Sequence, residues 1–319
     1  MDRQRALLII NPISGTAGKK GLDRMVSASL DMDLEVAWTG GRGDATRLAC
    51  EAVDRGYHTV IAAGGDGTVN ETARALCGSD TSLGIIPCGS GNGLARHLGI
   101  PVDIEGSIEI IKRNHIERCD YGLADSTPFF CTFGVGFDAA VSHKFAAARR
   151  RGRLTYVRDT FLEYLSYSPE SYRISAPEVG LITEKAFLVA VCNASQYGNN
   201  AYIAPNASMT DGLLDVTIVH SGNPLTTALV GLDLLTGFID RNTQIHSFRT
   251  PALTITRSAS GPVHLDGEPA SMGPRIQLAC CASALSIYTP GTSETFKPII
   301  TPMRAFMRDI HYAIRHIFK

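Results

Sequence analysis

Residues Thr59–Glu71 read TVIAAGGDGTVNE. The run Thr59–Ala63 suits a strand buried on both faces. It ends at Gly64-Gly65-Asp66-Gly67-Thr68, and a helix is predicted over 69–77. Thr68 and Glu71 fit the pattern T-x-x-E, which predicts a capping box at the helix start. Glycines lack Cβ atoms, so their backbone N–H groups can come close to a phosphate, and a helix N-terminus adds free donors. A carboxylate would repel phosphate there, so Asp66 implies an intervening Mg²⁺.

The same unit repeats on either side. Ala6–Ile10, Leu34–Trp38 and Leu83–Ile86 are short apolar runs, and helix-length segments lie near 19–30, 44–55 and 92–98. This alternation predicts an α/β domain with a parallel sheet, helices on both faces and ligands at the carboxyl ends of the strands. Each run opens into a glycine-bearing loop: Asn11-Pro12-Ile13-Ser14-Gly15, then Thr39–Ala45, then Pro87–Gly93. Ser90 offers a hydroxyl to a phosphate oxygen, and Asn92 stands at the predicted cap of the fourth helix. Cys88 reads as a small buried residue, because no histidine base is near it in sequence. There is no G-x-x-x-x-G-K-[ST]. Gly134–Ala139 fits G-x-G-x-x-A, but it lies outside the alternating region and reads as an accident or a cleft loop.

From about residue 118 the pattern changes to short strands between turn signals, including 129–133, 172–175, 186–192, 213–219, 252–256, 263–266, 276–279 and 285–288. This predicts a mostly antiparallel β-sandwich, interrupted by helical stretches near 139–167 and 224–239. After Pro302, the residues Met303, Phe306, Met307, Ile310, Ile314 and Ile317 recur at helical spacing. That apolar stripe is expected to dock on the first domain, with a membrane surface as the alternative. Arg149, Arg150, Arg151 and Arg153 form a dense basic cluster, read as a surface for transferred phosphate or anionic lipid.

Composition sets the bounds. The chain has 319 residues, 44% hydrophobic and 19% charged, with a net charge of −1. Disorder as the main state is excluded, and two domains are expected. The charge balance gives no general means of holding nucleic acid, so no nucleic-acid partner is expected. Eight cysteines without a CxxC read as reduced thiols in a cytoplasmic protein. No apolar run approaches the length of a spanning helix.

Taken together, the motifs resemble the diacylglycerol kinase catalytic-domain superfamily of lipid kinases, which includes bacterial diacylglycerol kinases and sphingosine kinases. The matching pieces are Asn11-Pro12-x-Ser14-Gly15, Thr39 with Gly43-Asp44-Ala45, Gly64–Glu71, Gly89–Asn92, Asp211-Gly212-Leu213 and Asp266-Gly267-Glu268. Gly-Gly-Asp-Gly alone also occurs in NAD kinases and phosphofructokinases; the ensemble in this order is specific. The resemblance implies a Rossmann-like nucleotide-binding domain over 1–118, an antiparallel β-sandwich lipid domain over 119–289, and a C-terminal segment, 290–319, whose helix returns to the first domain. It implies an ATP-dependent kinase acting on the hydroxyl of diacylglycerol or a sphingoid base, peripheral on a membrane, with a homodimer left open. ATP would meet Asn11, Pro12, Ile13, Ser14, Gly15, Thr39, Gly64, Gly65, Asp66, Gly67, Thr68, Val69, Asn70 and Ser90. Glu268 would be the general base, and Asp66 would act with the metal and phosphates. Asp211, with the carbonyls of Ser208 and Leu213, would bind a structural Mg²⁺. A kinase for NAD or another soluble alcohol, and a non-enzymatic binding protein on the same fold, are the competing readings. Two departures stand out. Gly93 replaces the aspartate of many bacterial diacylglycerol kinases, and Ser142 falls where sphingosine kinases carry an acid.

Overall fold

The computed structural model describes residues 3–15, 21–147, 167–220, 222–239, 242–291 and 296–317. The basic cluster Arg149–Arg153 lies outside them. The chain divides into two compact units. The first comprises 1–120, 283–295 and 304–319, and the second comprises 121–282 and 296–303.

In the first unit, β1 (Arg5–Ile10), β2 (Asp33–Trp38), β3 (Thr59–Gly64) and β4 (Ser82–Pro87) form a parallel sheet in the order β2-β1-β3-β4. Helices α1 (Leu22–Ser29), α2 (Asp44–Asp54), α3 (Asp66–Leu76), α4 (Gly93–His97) and α5 (Ile104–Lys112) alternate with the strands. β1, β3 and β4 are buried almost throughout, as continuous apolar runs should be. β2 departs from expectation: it is the edge, and its exposure alternates, with Trp38 half exposed. One face packs Leu8, Ile10, Ile61 and Ile86 against Leu22 and Val26 of α1 and Ile108 and Ile111 of α5. Burial of each such side chain contributes about 1.5–3 kcal/mol. Strand order reverses direction between β1 and β3, and the loops that follow these two strands flank the switch point where open α/β sheets bind ligands.

The second unit is antiparallel. Its elements are β5 (Ile116–Ala124), whose start belongs to the first unit, β6 (Thr127–Phe129), β7 (Thr132–Gly136), α6 (Phe137–Ala147), β8 (Glu170–Ala176), β9 (Gly180–Cys192), β10 (Leu214–His220), α7 (Pro224–Thr236), β11 (Ile245–Thr250), β12 (Ala252–Thr256), β13 (Gly261–Leu265), β14 (Glu268–Met272) and β15 (Arg275–Tyr288), whose residues from Ser283 onward belong to the first unit. β9 pairs with β8 over its first half and with β7 and β10 over its second, so one strand serves both sheets of the sandwich. The core holds Tyr172, Ile174, Val189, Val191, Val216, Ile218, Ile255, Val263 and Ile276. β15 is one 14-residue strand where two were expected. Ser283 adopts a left-handed φ of 52° in its middle, which reads in sequence as a break. Its N–H donates to Asp120 at 2.7 Å, and the strand continues.

α8 (Ile300–Ile317) closes the chain, and from Arg304 onward it belongs to the first unit. That return to the first unit is as expected; of the apolar stripe, the side chains of Ile314 and Ile317 lie outside the described ones. Over 300–310, the part of the helix whose side chains are described, Pro302 and Ala305 are buried and Asp309 is paired with Arg96, whereas Ile300, Met303, Phe306, Met307 and Ile310 are exposed.

Candidate active site

The rim of the first unit is made by three loops locked against one another. Asn11 starts the loop after β1. Its N–H donates to Ala63 O at 3.0 Å, and its amide Nδ2 donates to Thr68 Oγ1 at 3.0 Å. Its Oδ1 accepts from Ile13 N, and its carbonyl accepts from the Ser14 hydroxyl. Gly15, at φ 71°, leaves no room for a side chain: a Cβ there would sit 1.8 Å from Cys88 O. A Cβ on Gly89 would sit 2.7 Å from Gly65 Cα, and one on Gly91 would sit 2.6 Å from Asp66 Oδ2. Gly15 and Gly89 therefore serve backbone-to-backbone packing of the loops after β1, β3 and β4, and Gly91 makes room for the Asp66 carboxylate, tasks the sequence reading did not assign them.

Asp66 opens α3. Its Oδ2 accepts from Asn92 N at 2.8 Å and its Oδ1 from Gly93 N at 2.7 Å. The two amides give this carboxylate hydrogen-bond partners at the rim. They also tie the Pro87–Gly93 loop to the head of α3. Asn92 stands at the N-cap of α4 in a left-handed conformation, and its side chain makes a reciprocal pair with the Gly89 backbone instead of capping the helix. Arg96 Nε donates to Gly91 O at 2.8 Å, and its Nη1 lies 2.9 Å from both carboxylate oxygens of Asp309.

The expected capping box does not form. α3 begins at Asp66, two residues before Thr68, with Gly65 as N-cap and no side-chain cap. Glu71 instead accepts from Gly43 N at 2.9 Å and Ala45 N at 3.2 Å, the leading amides of α2. The Gly40 and Gly41 amides donate to Asp44 Oδ2 and hold that carboxyl below its ordinary range. The loop after β2 has thus spent these donors internally. By helix geometry the N–H groups of Asp66, Gly67 and Thr68 have no intrahelical acceptor, so the head of α3 is the rim's natural anion seat.

The predicted contact residues separate by exposure. Pro12, Ile13, Gly15, Asp66, Gly67 and Ser90 are exposed, and Asn11, Ser14 and Gly65 are half-buried. Thr39, Gly64, Thr68, Val69 and Asn70 are buried and shape the rim from beneath.

In the second unit, Glu268 is the first residue of β14, directly after a two-residue turn. Asp266 and Gly267 both have positive φ, 52° and 81°, as the tight hairpin turn requires. Asp266 then fastens the turn. Its Oδ2 accepts from Phe130 N at 2.9 Å, and its Oδ1 accepts from Cys131 N and Thr132 N at 2.7 and 3.0 Å. Behind the turn lies a cluster that sequence reasoning missed. His264, 1% exposed, places Nε2 3.0 Å from Asp138 Oδ2, and the Tyr197 hydroxyl donates to the same oxygen at 3.0 Å. Gly267 N–H points to His264 Nδ1 at 3.4 Å, which assigns the proton to Nε2. A Cβ on Gly134 would strike both Asp138 and His264. The G-x-G-x-x-A match is therefore this corner. β7 is flanked by antiparallel partners, which excludes a dinucleotide βαβ unit. The glycines before Asp138 were the available signal.

Asp211 sits in the turn before β10. Its Oδ1 accepts from Leu213 N at 3.1 Å, its Oδ2 lies 3.8 Å from Arg249 Nη1, and Ser208 Oγ lies 3.2 Å from Thr210 Oγ1. Among the described residues, no three His, Cys, Asp or Glu side chains gather as metal ligands. One carboxylate with peptide carbonyls fits a hard cation that keeps most of its water, with Arg249 as a competing charge. All eight cysteines are free, and burial pushes the Cys119 thiol up to about 12, which removes it as a nucleophile.

A switch-point rim on an α/β unit, followed by an antiparallel sandwich, defines a two-unit kinase fold. Residues 5–124 match the diacylglycerol kinase catalytic domain, and residues 131–289 match the YegS C-terminal NAD kinase beta sandwich-like domain. A protein of Chromohalobacter salexigens named probable lipid kinase YegS-like is 31% identical over 257 residues, 79% of this chain and 82% of that one. Another of that name, from Pseudomonas aeruginosa PAO1, is 29% identical over 93% of this chain and 98% of its own. A crystal structure of a diacylglycerol kinase from Bacillus anthracis Sterne superposes with TM-score 0.71 at 21% identity, covering 91% of this chain and 98% of that one. Yeast NADH kinase shares the fold at TM-score 0.51 and 10% identity, over 96% of this chain and 87% of its own. The chain belongs to the YegS-like lipid kinase family of diacylglycerol kinase catalytic-domain proteins. Among the described residues, no helix is long and apolar enough to cross a membrane.

Proposed function

We propose that the protein transfers the γ-phosphoryl group of ATP, supplied as its Mg²⁺ complex, to the free hydroxyl of a membrane lipid, acting peripherally at the bilayer. The observation that carries this reading is the rim itself. Three glycine loops interlock at the sheet's switch point, and the leading amides of α3 stand there without intrahelical acceptors. Phosphoryl transfer needs mainly positioning and neutralisation of charge, which fixed amides supply without reorganisation. The Asn11–Gly15 loop, Gly64–Asn70 and Ser90 would hold the nucleotide, with Thr39 beneath. Asp66 would keep the Ser90 loop in register through Asn92 and Gly93.

Glu268 would take the proton from the lipid hydroxyl, a contribution of about 10²–10⁴-fold. Its placement rests on Asp266, whose three accepted bonds fix the turn immediately before it. Asp211, with the carbonyls of Ser208 and Leu213, would hold a Mg²⁺ that stiffens the entry to β10. Asp138 bears on the acceptor. Its carboxylate already receives His264, Tyr197 and the Ala139 N–H, which favours a neutral acceptor, diacylglycerol, over the ammonium of a sphingoid base. Incubation with labelled ATP and dioctanoylglycerol tests the assignment. Wild type should make phosphatidic acid, and Glu268→Ala should be folded and slower by at least about a hundredfold. Full activity in Glu268→Ala removes it as the base. Labelling of NAD in place of lipid gives the function to the soluble-alcohol reading.

A further inference from the structure

Large apolar side chains gather on the surface where α7 meets the start of α8. Leu229, Leu232 and Leu235 of α7 are 50%, 54% and 58% exposed, and Ile299, Ile300 and Met303 are 50%, 43% and 56% exposed. The three leucines recur every third residue, so they share one side of the helix. Its other side is anchored, because Val230 and Leu234 pack into the second unit's core. α7 is thus apolar toward the core and toward the outside alike, whereas a surface helix ordinarily turns polar groups outward.

The junction is built. Ile299 N–H donates to Thr236 O at 2.8 Å, joining the two helices end to end. Gly237, at φ 79°, makes room for the Phe296 ring, which would lie 2.3 Å from any Cβ there, and Tyr202 meets that ring at 4.9 Å. These contacts hold Ile299 and Ile300 beside the end of α7 in the second unit.

Charge identifies the occupant. Residues 296–303, the part of this segment in the second unit, carry Lys297 and no acid. Lys297 and Arg304 are exposed on either side of Ile299–Met303. The charged residue of α7, Asp233, accepts from Asn242 Nδ2 at 2.6 Å. An apolar face fringed by cations suits acyl chains under anionic headgroups. We infer that α7 and the start of α8 form a docking surface for an anionic lipid bilayer. The inference rests on the lipid-kinase reading, which places the acceptor in such a bilayer.

The test is co-sedimentation of the full chain with phosphatidylcholine vesicles containing phosphatidylglycerol, and with pure phosphatidylcholine vesicles. Wild type should bind the anionic vesicles, more weakly as salt rises. Leu232→Ser combined with Met303→Ser should lower partitioning at least about tenfold, and so should Lys297→Glu with Arg304→Glu. Circular dichroism and melting temperature establish that each variant folds. Undiminished sedimentation of both variants overturns the proposal. So does a wild type that ignores vesicles while forming a dimer that Leu232→Ser/Met303→Ser dissolves, since a second copy would then be the occupant. Phosphorylation of dioctanoylglycerol in detergent is measured separately. Its absence, with vesicle binding as expected, defeats the kinase reading and leaves the docking surface standing.

Discussion

Replacing Asp309 by alanine should loosen the nucleotide rim from the far end of the chain. Arg96 is the link: its Nη1 lies 2.9 Å from both Asp309 oxygens, and its Nε donates to Gly91 O at 2.8 Å. The Arg96 side chain is 7% exposed and that of Asp309 is 27%. Removing the acid leaves a nearly buried guanidinium with the Gly91 carbonyl but no counter-charge. Breaking a fully buried pair costs about 3–5 kcal/mol, and the partial exposure of Asp309 reduces this to about 2–3 kcal/mol. Gly91 precedes Asn92 and Gly93, whose amides hold Asp66, so the loss should reach nucleotide binding as well as folding. Urea unfolding should show the stability loss. Steady-state kinetics should show KM for ATP rising about tenfold, a 1.4 kcal/mol effect, with KM for the lipid unchanged. Asp309→Asn keeps an acceptor and should fall between the two. A stability loss under about 0.5 kcal/mol together with an unchanged KM for ATP would refute the reasoning.

Burial pushes the His97 imidazole from 6.5 down to about 4. Between those values the unfolded chain binds a proton that the folded chain refuses, so stability falls as pH drops through that window, by about 3 kcal/mol at most. His97→Gln should flatten that slope in urea unfolding at stepped pH, and identical slopes would contradict the cause. Asp266→Ala leaves three amides without their acceptor and should cost about 2–4 kcal/mol in stability, with kcat falling more than KM; a change confined to KM would argue against its positioning of Glu268. Millimolar Mg²⁺ should raise the melting temperature of wild type by about 2 °C or more and leave Asp211→Asn unmoved; equal shifts in both would remove Asp211 as a ligand.

Local signals were readable where they needed only neighbours in sequence. β1, β3 and β4 are apolar because both their faces are covered, and their loops are rich in glycine because backbones meet there. β2 reads almost as apolar, yet its edge position leaves Asp33, Glu35 and Trp38 exposed and no side chain fully buried. What sequence hid were tasks performed across long separations. Thr68 and Glu71 matched a cap by spacing, but Glu71 reaches α2, 26 and 28 residues upstream. Asp66 also accepts from the amides of Asn92 and Gly93, 26 and 27 residues downstream, a task its place in the Gly-Gly-Asp-Gly run does not announce. His264 and Tyr197 meet Asp138 across 126 and 59 positions, which no periodicity encodes. The stripe of α8 was correctly periodic and the helix returns to the first unit, but period alone does not say which side a helix buries: over 300–310 the stripe is exposed and Asp309 meets Arg96.

The most direct measurement of the central claim is the fate of labelled phosphate when the enzyme meets γ-labelled ATP and a total lipid extract. The account predicts label in an organic-soluble phospholipid, identified by mass as phosphatidic acid, and its loss in Glu268→Ala. Label that stays in water, whether as inorganic phosphate or on a soluble alcohol, would contradict it.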